Sequence, residues 1–245
     1  MGVVRADGNV PSKKGSELAL ETLHLGAGDS AAAGDPGHDV LLFVFAGSAL
    51  LVGDALGAGS AALLLEGEEA VLQAGADGIS LVRVTLGAAT DLHAPMGPPE
   101  RIVAIDQVEP GKATGSRSFQ VLFGPHNGCT RATMFVGYVP PGKAPWHYHL
   151  YDEIVWIWRG PGRYHLAEGV EEIENGAAFR ITPREIHIVE NTSTDRELAI
   201  LGIFTPAGSP SAAYLMPDVA ASYAAATGFS LSPGSPGLSP GLGSS

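Results

Sequence analysis

Glycine and proline interrupt this sequence so often that long helices have little room. Its 245 residues include 33 Gly and 18 Pro, and the apolar runs between them are short, β-branched and aromatic. In a helix interior glycine costs about 1 kcal/mol and proline about 3 kcal/mol relative to alanine, whereas both suit the tight turns between strands. Charged residues make up 16% of the chain, too few for the solvated faces of a helical bundle, while 45% hydrophobic content can supply a core. The expected fold class is all-β.

The formal charge of −12 and the lack of any Lys/Arg cluster exclude the electrostatics of nucleic-acid binding and of anionic membranes. The most apolar run, Val40 to Gly53, is closed by Asp54 and falls short of the roughly 20 residues a membrane helix needs. The first residues show no apolar signal core, and Ala6 stands where a myristoylation signal has Ser or Thr. Cys129 is the single cysteine, so no intrachain disulfide can form. A cytoplasmic protein is the expectation, with a small-molecule substrate, no nucleic acid and no membrane.

Strand-like runs gather in two stretches, residues 17–90 and 115–207, flanked by an N-terminal arm at 1–16 and separated by a turn-rich linker at 91–114 with room for a short strand at Arg101–Ile105. A faint repeat relates them: "HDVLLFVFAGSALL" resembles "YDEIVWIWRGPGRYHL", and "GAGSAALLLEGEEAVLQAG" resembles "ENGAAFRITPREIHIVEN". Two similar β domains follow. Tyr214, Leu215, Val219 and Tyr223 recur at loosely helical spacing, which predicts a short helix over 208–228. The Pro/Gly/Ser-rich residues 229–245 are expected to be disordered.

The chemistry concentrates in "WHYHLYDE", residues 146–153. On a strand His147 and His149 share a face, and Glu153 returns to it if the backbone stays extended or turns compactly at 150–152. Two imidazoles and a carboxylate suit a divalent first-row metal, and His187, in a later β run, can supply a further ligand.

These residues resemble the cupin superfamily. In "GKAPWHYHLYDEIVWIWRG" a glycine precedes H-x-H, then a glutamate, then six residues and Gly160, as in the first cupin signature, although the gap from Gly142 to His147 is one residue short. The second signature is met by Gly176, His187 and Asn191, while Thr182-Pro183-Arg184 replaces its usual P-x-G. The resemblance implies two cupin barrels (double-stranded β-helices, or jelly rolls). It implies metal ligands at His147, His149, Glu153 and His187. In the first half Gly34, Pro36, Val40 and Ala70 stand where those ligands would be, so one metal site per chain is expected. The expected cofactor is one divalent first-row transition metal: Fe, Mn or Ni, with Zn or Co as alternatives.

Other residues carry weaker signals. Arg131 is a candidate catalytic residue if it turns inward to hold a substrate carboxylate, and a surface cation otherwise. Tyr164 and His165 are catalytic candidates for orienting a ligand or moving a proton. Trp156 and Trp158 face away from Glu153, so an inter-domain contact, a homodimer contact or packing within one barrel would cover them; a homodimer is the expected assembly. His24, His93 and His126 read as structural. The leading functional expectation is a dioxygenase at a mononuclear His3Glu centre. The alternatives are a non-redox, metal-assisted isomerase, lyase or aminohydrolase of a sugar acid or ureide, and a non-catalytic ligand-binding or storage protein. The layout is similar to that of ureidoglycine aminohydrolases and deoxyglucuronate isomerases.

Overall fold

The computed structural model describes residues 4–87, 93–113 and 116–215. The first half forms one seven-stranded antiparallel sheet: β1 (Ala19–Leu25), β2 (Ser30–Ala32), β3 (Asp39–Leu51), β4 (Asp54–Gly57), β5 (Ser60–Leu64), β6 (Val71–Leu86) and β7 (Ile102–Ala104), in the order β1-β6-β3-β5-β7, with β2 on β6 and β4 on β3. β7 lies inside the segment read as a linker and extends this sheet by pairing with β5.

The run "VLLFVF" is apolar without alternation because both faces of β3 are covered. Val40, Leu42 and Val44 point into the first half's own core, while Leu41 and Phe43 point into a second core shared with the other half. β3 and β6 bend together where their register slips between Val44 and Ala46 and again between Gly47 and Ala49. Gly47 has φ +76° there, and a Cβ on it would overlap the carbonyl oxygen of Gly78. Only glycine tolerates that approach.

The second half comprises β8 (Gly111–Lys112), β9 (Ser118–Phe123), β10 (Thr133–Val139), β11 (Gly142–Lys143), β12 (His147–Tyr148), β13 (Asp152–Arg159), β14 (Gly162–Leu166), β15 (Gly169–Ile173), β16 (Ala178–Ile181), β17 (His187–Asn191), β18 (Leu198–Thr205) and β19 (Tyr214–Leu215). They build two six-stranded sheets. One runs β16-β13-β18-β10-β9-β8, the other β15-β14-β17-β12-β19 with β11 on β17. Val155, Ile157, Phe179 and Ile200 from the first of these meet Tyr164, Ile173 and Val189 from the second in a core between them. The opposite face of the first sheet, with Met134, Val136, Ile154, Trp156, Leu201 and Ile203, packs on the first half. Trp156 meets Phe45 at 4.9 Å between ring centres and Trp158 meets Phe43 at 5.1 Å, so both tryptophans lie at the contact between halves.

The architecture corrects two expectations. The sheets are not closed into barrels: their hydrogen-bonded paths end at β1 and β7, at β16 and β8, and at β15 and β19. The apolar faces are covered by stacking sheet on sheet, so closure is not needed to bury them. The barrel and jelly-roll description therefore gives way to open, packed sheets. There is also no α-helix among the described residues, only 3-10 turns at Ile105–Gln107 and Pro125–Asn127. Within the expected helix, Tyr214 and Leu215 pair with β12, and the Tyr214 ring stacks on Tyr148 at 5.1 Å. A short isolated helix is marginal in water, whereas a strand edge satisfies these backbone groups at once. Residues 216–228 of that helix, and the tail at 229–245, lie outside the described residues.

Candidate functional site

A cavity of about 80 Å³ opens between the two sheets of the second half. Phe119, Phe135, Val155 and Ile200 wall it on one sheet and Val189 on the other, and His147, His149, Glu153, His187, Arg117 and Tyr151 all reach it. That volume holds several waters or one small molecule.

Local structure explains how the imidazoles converge. His147 on β12 is the register partner of His187 on β17, and their ring centres lie 4.3 Å apart. His149 follows β12 directly, with its ring 5.2 Å from that of His187. Each ring gives Nδ1 to a nearby carbonyl: His147 to Pro145 at 3.0 Å, His149 to Tyr151 at 3.0 Å and His187 to Glu185 at 2.9 Å. With Nδ1–H donated, a neutral ring carries its lone pair on Nε2, as in His147 and His187. The turn before β17 reinforces this, because the Arg184 N–H donates to the His149 carbonyl at 2.8 Å. Arg184 adopts φ +67° in that turn, a conformation that favours glycine.

Burial and neighbouring charge hold His147 and His187 neutral. His147 is pushed down to about 3 by burial and then by His187, and His187 falls to about 3 chiefly through burial. Arg117 adds to both effects, and its own guanidinium is lowered by burial. Burial also drives Tyr151 far above the ordinary phenol range. Its ring is stacked between His149, at 4.0 Å, and Phe204, at 3.9 Å. Glu153 Oε2 stands 2.9 Å from His149 Nε2, yet that nitrogen is buried and has no hydrogen-bond donor or acceptor matched to it. A ring nitrogen faces a carboxylate oxygen, an arrangement that calls for a cation or a proton between them.

The donor set thus has the chemistry of a divalent-metal site, but its geometry is not that of a formed one. Among the described residues no group of three or more His, Cys, Asp or Glu side chains is disposed to hold a metal ion. The expected preformed His3Glu centre is therefore corrected, and with it the metal-binding description and the dioxygenase oxidoreductase reading that presuppose a formed centre.

The other predicted residues lie elsewhere. Arg131 turns toward the first half, 3.2 Å from Glu66 and 3.6 Å from Asp39, and does not line the cavity. Tyr164 is fully buried beneath it, stacked on Phe179 at 4.1 Å, with its hydroxyl donating to Glu185 at 2.7 Å. His165 points to the opposite face of β14, where Nε2 meets Glu190 at 2.6 Å. Sequence reasoning missed Arg117 and Tyr151. Tyr151 sits inside the quoted motif, and its odd-numbered parity with His147 and His149 was the available signal. Arg117 precedes β9 with no motif around it.

Comparison with known proteins agrees with the fold. Residues 134–204 match the family model described as Cupin domain. A variant of Bacillus subtilis oxalate decarboxylase superposes with a TM-score of 0.68 at 16% identity, covering 88% of this chain and 75% of that one. A putative glyoxylate-induced protein from Pseudomonas aeruginosa gives 0.66 at 14% identity, covering 78% and 76%. No curated protein matches in sequence. No helix among the described residues is long and apolar enough to cross a membrane. Residues 134–204 thus match a Cupin domain model, in a protein whose described fold is similar, at low sequence identity, to that of oxalate decarboxylase.

Proposed function

We propose that this protein binds a small organic acid in the cavity of its second half and transforms it without redox chemistry, as an isomerase, lyase or aminohydrolase. The observation that carries this is the orphaned Nε2 of His149 facing Glu153 at 2.9 Å within a cavity that Arg117 also lines. A guanidinium draws a carboxylate into a pocket by charge and paired N–H donors. Glu153 Oε2 is placed to accept a proton from such a ligand, and His149 Nε2 to share it. Val155, Val189 and Ile200 keep bulk water from the proton during transfer.

The cofactor proposed with this reading is a divalent first-row cation, Fe, Mn, Ni, Zn or Co, which His149 and Glu153 would hold without a preformed His3Glu centre. When bound it supplies Lewis-acid polarisation of a carbonyl. The oxalate decarboxylase and glyoxylate-induced relatives lend the small-acid reading support by their names alone. Simple ligand binding without turnover is the second reading, favoured by the lack of a formed metal-ligand cluster among the described residues. A cytoplasmic setting and a homodimer belong to the same proposal; sedimentation velocity tests the latter.

The test is a thermal-shift screen of glycolate, malonate, glucuronate and allantoate, with and without Mn²⁺ or Zn²⁺, followed by NMR of any stabilising acid. At least one acid should raise Tm in the wild type and lose its effect in Arg117→Gln. Elemental mass spectrometry should find a divalent metal that His149→Ala fails to retain. No shift with any acid, or a shift unchanged in Arg117→Gln, refutes the proposal. An acid that binds and returns unchanged leaves the binding-protein reading.

A further inference from the structure

The floor of the cavity has a gap where two strands lack side chains. On the inner face of the first sheet, Phe135 of β10 pairs with Gly202 of β18, and the next inward residue of β10 is Gly137, paired with Ile200. The Phe135 ring lies across this gap. A Cβ built on Gly202 would collide with Cε1 and Cζ of Phe135 and would stand 2.8 Å from Glu153 Oε1. A Cβ on Gly137 would come within 3.2 Å of Phe135 Cε2 and 3.1 Å of Ile200. Phe204 and Phe119 flank the ring edge-on, with centres 6.0 and 6.4 Å away, so sideways escape is limited.

We infer that Phe135, lying flat on the bare backbone of Gly202, sets the size of ligand this cavity admits and limits it to short-chain acids. The inference deepens the proposed function and rests on it for the word acid. With Gly202 the ring lies low and leaves about 80 Å³ beside Glu153 and His149. Any side chain at position 202 would lift the ring into that space, and a smaller residue at position 135 would deepen the floor. Phe135 is 7% exposed and its outward neighbours Met134 and Val136 are fully buried, so the strand beneath the ring is fixed.

Graded alkylating acids test this without knowledge of the natural ligand. Bromoacetate and α-bromohexanoate both alkylate imidazole nitrogen, and peptide mass spectrometry would follow His147, His149 and His187 against His24, whose ring is on an exposed residue. In the wild type the longer reagent should modify the cavity histidines about tenfold or more slowly than the shorter, relative to His24, the scale on which apolar pockets discriminate size. Phe135→Leu should erase most of that difference, and Gly202→Ala should slow bromoacetate as well. Should Gly202→Ala not fold, Phe135→Leu alone decides. An unchanged length ratio in Phe135→Leu overturns the inference, as would equal wild-type rates for both reagents or no reaction of the cavity histidines in any variant. A separate arm compares bromoacetate with bromoacetamide. Equal rates in wild type and Arg117→Gln defeat the acid reading, while the length ratio still judges Phe135.

Discussion

Acidification should unfold this protein through two particular side chains. His147 and His187 have folded-state values near 3, against an ordinary imidazole value of 6.5. A lowered folded value means that the unfolded chain takes up protons first. The stability these groups confer is therefore complete above the unfolded value and drains away as pH falls from about 6.5 toward 3. Between ~pH 7.5 and ~pH 4.5 the linkage amounts to about 2.7 kcal/mol per histidine, or roughly 5 kcal/mol for both. A shift of one unit in either folded value hardly changes that figure, because both rings still stay neutral at ~pH 4.5. The loss is comparable to the whole stability of a marginal domain, about 5–15 kcal/mol. Urea unfolding followed by tryptophan fluorescence, after dialysis against a chelator, would measure it at the two pH values. The His147→Gln/His187→Gln double variant should lose far less than the wild type over the same interval. Equal losses in the two proteins would refute the claim that these buried rings carry the acid sensitivity.

Four other outcomes are expected. Val52 occupies the β3–β4 turn at φ +53° and is 63% exposed, so Val52→Asn should raise stability by about 1 kcal/mol in urea melts. Arg184→Gly relieves the same kind of strain beside the cavity, and its melting temperature should equal or exceed that of the wild type. Asp152→Leu strands the buried Arg180 guanidinium and should cost about 3–5 kcal/mol, whereas Asp195→Leu, an exposed acidic control, should change the midpoint little. Cys129 is fully buried and pushed up to about 12, so an aromatic disulfide reagent should titrate no thiol until urea unfolds the chain.

Strand parity explains both what was legible in the sequence and what was not. It brought His147, His149 and Glu153 to one cavity and turned Trp156 and Trp158 to the opposite face, because period-two alternation survives any sheet arrangement. It misled at Arg131, which shares the odd parity of Phe135 but lies two residues before β10 begins, where a bend carries it to Glu66 and Asp39. His165 failed for the converse reason: its neighbour Tyr164 takes the inward position. Arg117 reaches the cavity only through tertiary convergence, which no local pattern records. Tyr214 and Leu215, read as part of a helix from their spacing, follow the edge of β12 instead. Spacing foretold that these side chains share a face; how their ring and carboxylate atoms face one another depends on packing that the sequence does not encode locally.

The shared core between the halves dictates an order of events during synthesis. Leu41, Phe43, Val82 and Val84 belong to strands complete by Leu86, but the residues that cover them, Met134, Val136, Ile154, Trp156 and Ile203, come from β10, β13 and β18. At ~5–20 residues per second the ribosome needs roughly 6–25 s to make the intervening chain. Through that interval the nascent first half carries a naked oily face. Part of the N-terminal arm waits as well: Val10 can pair with Leu20 at once, but the Ala178 backbone that holds Arg5 and the Asp152–Arg180 pair that holds Lys13 and Pro11 emerge only with the second half. Cells making this protein must therefore shield an unfinished surface, and a chain stalled before β18 would be a substrate for chaperones or for aggregation.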